Sequence, residues 1–330
     1  MPPTTDGWSI STVPKIDGRT ALITGGASGL GARISKALSA LGAQVTIADV
    51  DVKGATSVAE DIRTTVDNAR PEVLGIDLGD LRSVERAATT FRSRHESLDL
   101  LVNNAGIMTP PYSRTAQGYE SQWGINHLGH FALTAALLDL LMEQRGSRVV
   151  VQTSCVHRGG RINFEDIDSE RSYGPWKAYK QSKLATLLFA RELQRRLDRQ
   201  EILSPICVAC HPGLVDTPLY RNTRLMRWYL RPFMHSIEAG IQPALRACLD
   251  RSVKGGDIIG PDGWMEFKGR PVRVHPHRKG KDMHLAGMVW ELSERMTGIE
   301  FSALIDATPR RNYSGRGAEG TAMLDNESER

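Results

Sequence analysis

Cysteine is scarce, four in 330 residues, which agrees with a reducing compartment in which thiols stay free. The N-terminus, MPPTTDGWSISTVPKIDGR, lacks the apolar core of a secretory signal. Long hydrophobic runs are missing as well. The longest, FALTAALLDLLM from Phe131 to Met142, contains Asp139 and is too short to cross a bilayer, so it is expected to be a core helix and not an integral membrane segment. These absences point to a cytoplasmic protein. Charge of one sign is also missing: the formal net charge is +4, compatible with a phosphorylated cofactor but far from the balance of a nucleic-acid binder. His275, His277 and His284 have no cysteine or carboxylate at ligand spacing, so no metal site is expected. With 24% charged and 40% hydrophobic residues the composition is that of an ordinary soluble globular chain.

Two of the cysteines stand in a misleading place. ICVACHPGLVDT (206–217) contains C-x-x-C-H, the spacing of covalent c-type haem. That haem is attached outside the cytoplasm. The stretch is also short, apolar and β-branched with proline on both sides, and so reads as a buried strand. Positions three apart on a strand face opposite ways, so Cys207 and Cys210 would share neither a haem edge nor a disulfide. They read as small buried apolar residues.

What the chain does have is alternation. Strands are expected at 20–24, 43–49, 72–77, 99–106, 147–154 and 206–209. Helices are expected from Gly29, over 53–66, from Leu81, over 116–143 and over 176–197. Continuous Val/Ile/Leu strands separated by amphipathic helices indicate an α/β doubly wound parallel sheet, a three-layer α/β/α Rossmann fold. Beyond Ala209 the pattern loosens. Residues 237–249 read as a helix, 261–282 as irregular, and MHLAGMVWELSERMTG as a helix stopped by Gly298. Residues 1–306 are expected to form one catalytic domain, with a C-terminal extension at 261–306. The tail, 307–330, is polar and expected to be disordered.

TGGASGLG (24–31) falls where the first strand passes into the first helix. Gly25 permits a sharp turn, Gly29 close approach of a pyrophosphate, and Gly31 tight helix–strand packing. The helix N-terminus then aims N–H groups at phosphate. The second strand ends at Asp49, whose carboxylate can accept from both adenosine ribose hydroxyls and would repel a 2′-phosphate. Ser28 and Val50 supply no cation for such a phosphate. This reading favours NAD over NADP.

YKQSK places Tyr179 and Lys183 four apart on a helix, hence on one face. A phenol is a poor base at neutral pH, and a neighbouring ammonium would stabilise the phenolate. With TGGASGLG, NNAG (103–106), Ser154 at a strand end and YKQSK, the chain resembles the short-chain dehydrogenase/reductase family in its single-domain form. That resemblance implies Tyr179 as general acid/base, Ser154 as the hydrogen-bond partner of the substrate oxygen, and Lys183 as a holder of the nicotinamide ribose. It also implies that Asn126, in GINHLGHF, keeps a backbone carbonyl free for a relay water. Asp77 would contact adenine, Asn103 would lie beside the cofactor, and Ser28, Leu30 and Leu78 would line its site. In HPGLVDT, the Val215 backbone and Thr217 hydroxyl would face the carboxamide. Homodimers and homotetramers are common in that family.

The loop between Ser154 and Tyr179 and the late VWELSERMTG helix further resemble the retinol-dehydrogenase-like group and its bacterial relatives, whose members often take bulky lipophilic alcohols or carbonyls. That group often uses NADP through a basic residue after the second strand. Here Val50 follows Asp49. Residues 218–235, with Leu219, Leu225, Met226, Trp228, Tyr229, Leu230 and Phe233, read as an apolar lid, although a subunit interface or a membrane-contact patch fits the same residues. The function expected is reversible hydride transfer between NAD and a small-molecule alcohol/carbonyl pair. An NADP-dependent carbonyl reductase, a non-catalytic NAD-binding protein and an epimerase or dehydratase with tightly held NAD stay open as alternatives. If Asp49 has its expected role, steady-state assays will give a higher kcat/KM with NAD(H) than with NADP(H), and the reverse order would refute that role.

Overall fold

The first strand is short because its job is short: TALIT is buried at every position, and the chain turns away at Gly25. The computed structural model describes residues 7–217, 219 and 228–306. In chain order its elements are β1 (Thr20–Thr24), α1 (Gly29–Ala40), β2 (Gln44–Asp49), α2 (Val52–Thr65), β3 (Glu72–Gly75), α3 (Leu81–Arg92), β4 (Leu100–Asn103), α4 (Ser121–Met142), β5 (Arg148–Gln152) and α5 (Pro175–Arg199). There follow β6 (Ile206–Cys210), α6 (Ile237–Gly240), α7 (Gln242–Leu249), β7 (Ile258–Pro261), β8 (Pro271–Arg273), α8 (Met283–Thr297) and α9 (Ser302–Asp306). The strands form one sheet in the order β3-β2-β1-β4-β5-β6-β7-β8.

Strand order reverses between β1 and β4, both of which pair in parallel with their neighbours. Loops leaving the C-terminal ends of β1 and β4 therefore diverge, and a crevice opens between them. Helices cover both faces. On one, α3, α4 and α5 pack on Leu22, Leu101, Val149 and Cys207. On the other, α1, α2 and α7 pack on Ile23, Val102, Val150 and Cys210. Cys207 and Cys210 thus point to opposite layers, both buried as free thiols, and burial pushes the Cys207 thiol well above the usual thiol range.

Three expectations change. The sheet is not wholly parallel: β8 runs antiparallel to β7, and both strands fall where the pattern had loosened. Each is only three or four residues long and carries proline, so neither shows a readable period. The expected 237–249 helix divides at Ile241, because Pro243 has no N–H to continue the ladder. The expected 116–143 helix starts later, at Ser121, where the Glu120 carboxylate accepts from the amides of Gln122 and Trp123. Gly298 does stop α8, in the left-handed region at φ 68°. Helix α4 has the length and hydropathy of a membrane span, yet most of it is buried inside the fold. The 307–330 tail and most of 218–227 lie outside the described residues.

The C-terminal helices close the α4/α5 layer. Trp290 of α8 is 1% exposed. Its ring lies 5.1 Å from Phe131, 5.9 Å from Phe189 and 4.5 Å from Phe301, and its indole N–H donates to Glu294 at 2.7 Å. Removing it empties the centre of an aromatic cluster. Trp290→Ala is expected to cost about 3–5 kcal/mol, read as a lowered denaturant midpoint. A loss below about 1 kcal/mol would show that the C-terminal helices are not part of the core.

Candidate functional site

Two cavities meet above the C-terminal ends of the strands. The first, about 250 Å³, is lined by Gly25, Ser28, Gly29, Leu30 and Gly31 of the β1–α1 turn, by Asp49 and Val50, and by Ile76, Asp77 and Leu78. Its other wall is Asn104 to Ile107, Ile125, Thr217 and Leu219. The turn is built for close approach. Gly25 has φ 69°, and a Cβ on Gly31 would overlap the Gly25 carbonyl. Ser28 makes no side-chain cap, so the first turn of α1 presents its N–H groups to the cleft. Asp49 is pinned at the rim, one oxygen accepting from the Ala27 amide at 2.9 Å and the other from the Asp51 amide at 2.9 Å. Among the described residues lining this cleft there is no lysine or arginine.

The second cavity, about 480 Å³, shares Leu30, Asn104, Gly106, Ile107, Thr217 and Leu219 with the first. Ser154, Tyr179 and Lys183 lie in its wall. Most of the remaining lining is apolar, with Met108, Val156, Trp176, Leu214, Leu230 and Phe267 prominent. Ser154 follows β5 and opens a 3₁₀ turn over Cys155–Gly159, accepting from the Val156 amide. The His157 Nδ1–H donates to the Ser154 carbonyl at 2.6 Å, and burial lowers the His157 pKa to about 4, so this ring is neutral. Tyr179 and Lys183 share a face of α5, with Nζ 6.0 Å from the phenol ring centre. Nζ donates to the Gln152 carbonyl at 3.2 Å.

Asn126 sits under this wall in a π-turn, Gly124–Leu128, within α4. Its side chain is committed: Oδ1 accepts from the Ile107 amide at 2.8 Å, while Nδ2 donates to the Ile107 carbonyl at 3.0 Å and to Ser182 Oγ at 2.9 Å. A Cβ on Gly106 would lie 3.0 Å from Asn126 Oδ1 and 3.4 Å from Lys183 Nζ, so the bare backbone of Gly106 lets the two sit close. The Asn126 carbonyl accepts from His130 Nδ1 at 3.1 Å, a bond that uses one of its two lone pairs. A carbonyl only accepts, so Nδ1 carries the proton and Nε2 accepts from Thr24 Oγ1 at 2.8 Å. Burial, then the nearby Lys183, lower the His130 pKa to about 4. Thr24 Oγ1 in turn accepts from the amides of Asn104 and Ala105, each at 3.0 Å.

The short chain dehydrogenase family model matches residues 19–228. The chain belongs to the short chain dehydrogenase family. It is similar to human retinol dehydrogenase 11, 38% identical over 89% of this chain and 90% of the relative, and to mouse retinol dehydrogenase 12, 39% identical over 89% and 91%. A crystal structure of an uncharacterized protein from Mycobacterium Paratuberculosis is 39% identical, with a TM-score of 0.75 over 89% of this chain and 98% of that one. This short chain dehydrogenase is therefore an NAD(P)-dependent oxidoreductase acting on CH–OH groups, of the retinol-dehydrogenase-like group.

Within this short chain dehydrogenase, one candidate is displaced. Asn103 does not reach the cleft: as the last residue of β4 it points into the core and donates to Thr134 Oγ1 at 2.9 Å, and Asn104 takes the cleft position. Strand alternation was the available signal, since neighbouring asparagines at a strand end face opposite ways. Val215 lies in the second cavity rather than the first, and Thr217 lines both. Of the lid residues, Leu219 and Leu230 line the second cavity, Trp228, Tyr229 and Phe233 are exposed, and Leu225 and Met226 lie outside the described residues. Met108, Trp176 and Phe267 carried no sequence signal, being isolated apolar residues in unrelated loops or at a helix start.

Burial lowers the Lys183 pKa to about 8. Above that pH and below about 10.5, the unfolded lysine holds a proton that the folded one has lost, so stability rises with pH across this window. Below pH 8 the buried ammonium costs roughly 3 kcal/mol. Lys183→Met is expected to raise Tm at pH 7 by about 3–6 °C while abolishing turnover, with the stability gain shrinking as pH rises past 8. A variant less stable than the parent at pH 7 would contradict this balance.

Proposed function

We propose that this chain catalyses reversible NAD-dependent oxidation of a bulky lipophilic alcohol to its carbonyl, with Tyr179 as general acid/base. One observation carries the reading: Ser154, Tyr179 and Lys183 converge on an otherwise largely apolar cavity that opens directly onto the cleft beside the glycine turn.

The residues present fit a dinucleotide. The glycine turn and the start of α1 would hold the pyrophosphate, Asp49 the adenosine ribose, Asp77 and Leu78 the adenine side, and Lys183 and Thr217 the nicotinamide half. When bound, NAD supplies the hydride acceptor. Choice of NAD over NADP is supported by the Asp49 carboxylate at the rim and by the lack of a lysine or arginine among the described lining residues. A 2′-phosphate placed there would meet like charge without a counter-ion.

The protein's own chemistry is proton handling. Ser154 donates to the substrate oxygen and orients it toward the phenol. Tyr179 takes the hydroxyl proton during oxidation and returns it during reduction. Lys183, kept dry and anchored to the Gln152 carbonyl, stabilises the phenolate. With Asn126 placed beside it across Gly106, the ammonium hands the proton to solvent water and is reprotonated by the phenol in the next turnover. The apolar lining supports a lipophilic substrate, since each buried methylene adds about 0.8 kcal/mol of affinity. That human retinol dehydrogenase 11 and mouse retinol dehydrogenase 12 are among its relatives agrees with such a substrate.

Tyr179→Phe is expected to lower kcat about 100-fold or more while leaving the Kd for NAD within about twofold, read by absorbance of NADH and by cofactor titration. Near-full turnover in that variant, with a panel of lipophilic alcohols, would refute the assignment.

A further inference from the structure

A hairpin loop to which the reaction chemistry gives no role leans over the second cavity. Residues 262–270 join β7 to β8. The loop is closed by the Asp262 amide donating to the Arg270 carbonyl at 3.0 Å and the Gly263 amide to the Lys268 carbonyl at 3.0 Å. Asp262 Oδ1 also accepts from the Arg270 amide at 2.8 Å. Near its tip Met265 and Glu266 both occupy the left-handed region, at φ 52° and 59°. Two consecutive non-glycine residues there are strained, and such strain persists only where the surroundings impose it.

What imposes it is the Glu266 carboxylate. Oε2 accepts from Nε2–H of the fully buried His211 at 2.7 Å, and Oε1 pairs with Arg158. His211 begins the His211-Pro212-Gly213 turn after β6, and Arg158 belongs to the turn that Ser154 opens. Gly260 leaves room for the His211 ring, which a Cβ there would strike. A further tie runs through the backbone: the Phe267 carbonyl accepts from the Leu214 amide at 2.7 Å. It can approach because Gly213, at φ 75°, has no Cβ to block it. Burial raises the Glu266 pKa, but the His211 bond and the Arg158 charge outweigh it and hold the carboxyl ionised. One carboxylate therefore joins the serine turn, the turn after β6 and the hairpin loop. The outcome is Phe267 in the cavity wall and Trp264 outside, 70% exposed.

We propose that Glu266 is a positioning residue that clamps this loop over the cavity, and that Phe267, the wall it positions, selects ligands by the length of the apolar tail beyond the reacting oxygen. This selection rests on reading the second cavity as the substrate site. A tail lying along Met108, Trp176, Leu230 and Phe267 gains affinity with each methylene it buries. A merely structural clamp would affect short and long ligands alike.

The test is calorimetric titration of the full chain, with NADH present to prevent turnover, using straight-chain primary alcohols of increasing length from butanol to dodecanol. In the parent, Kd is expected to fall about fourfold per added methylene until the cavity is filled. In Phe267→Ala and in Glu266→Ala the advantage of decanol over butanol is expected to shrink about tenfold. Glu266→Gln, which keeps an acceptor for His211, is expected to fall between. An unchanged length dependence in Phe267→Ala and Glu266→Ala, an equal loss at every length, or no binding of any alcohol to the parent would overturn the proposal. Oxidation of the same alcohols with NAD is assayed in parallel. Length-dependent binding to the parent without oxidation would refute the proposed NAD-dependent oxidation of lipophilic alcohols and leave the clamp standing.

Discussion

A lysine ammonium held away from water is the constraint around which this site is arranged. Burial of Lys183 opposes its charge, and the fold offsets part of that with a backbone carbonyl, Gln152, at the end of β5. Thr153, next along, donates its hydroxyl to the Lys183 carbonyl at 2.7 Å and so ties α5 to the same strand end. The strand that ends in Gln152 and Thr153 then delivers Ser154. The positions of the serine, the lysine and the tyrosine one helical turn earlier are therefore a single structural decision. Stability is spent on it, as is common where a charged group must act in a dry site.

The second organising feature is the reversal of strand order between β1 and β4. It opens the crevice, and it also brings Thr24, at the end of β1, against the loop that leaves β4. Through the neutral His130, Thr24 is linked to the Asn126 carbonyl in the π-turn of α4. The glycine turn, the loop after β4 and the helix behind the lysine thus share one buried hydrogen-bond network. Neutrality matters here. A protonated His130 would put a second cation near Lys183, and burial prevents it.

The outer boundary of the site has a different origin. The walls of the second cavity come from the start of α5, the loop after β4, the segment ending at His235, and the hairpin between β7 and β8. The His235 amide donates to the Leu214 carbonyl at 3.0 Å, and its ring bonds the Pro212 carbonyl at 2.6 Å, so residue 235 is fastened to the same turn that receives Phe267. Variation in these peripheral pieces would change the ligand without disturbing the strand-end chemistry.

Much of this was legible in the sequence, because the signals involved are local. Continuous apolar strands alternating with amphipathic helices state the layered sheet, a glycine trio at a strand–helix junction states the turn, and four-residue spacing states that Tyr179 and Lys183 share a face. The same alternation logic separates Cys207 from Cys210 onto opposite faces of the sheet. What only tertiary structure decided involves contacts between segments far apart in the chain, which leave no period or spacing to read. Asn104 rather than Asn103 faces the cleft because of where β4 ends. His130 bonds the Asn126 carbonyl in the π-turn of α4. Strands β7 and β8 are too short and too proline-bearing to declare themselves, yet their pairing is what carries Glu266 to His211 and Arg158 and places Phe267 in the wall of the second cavity.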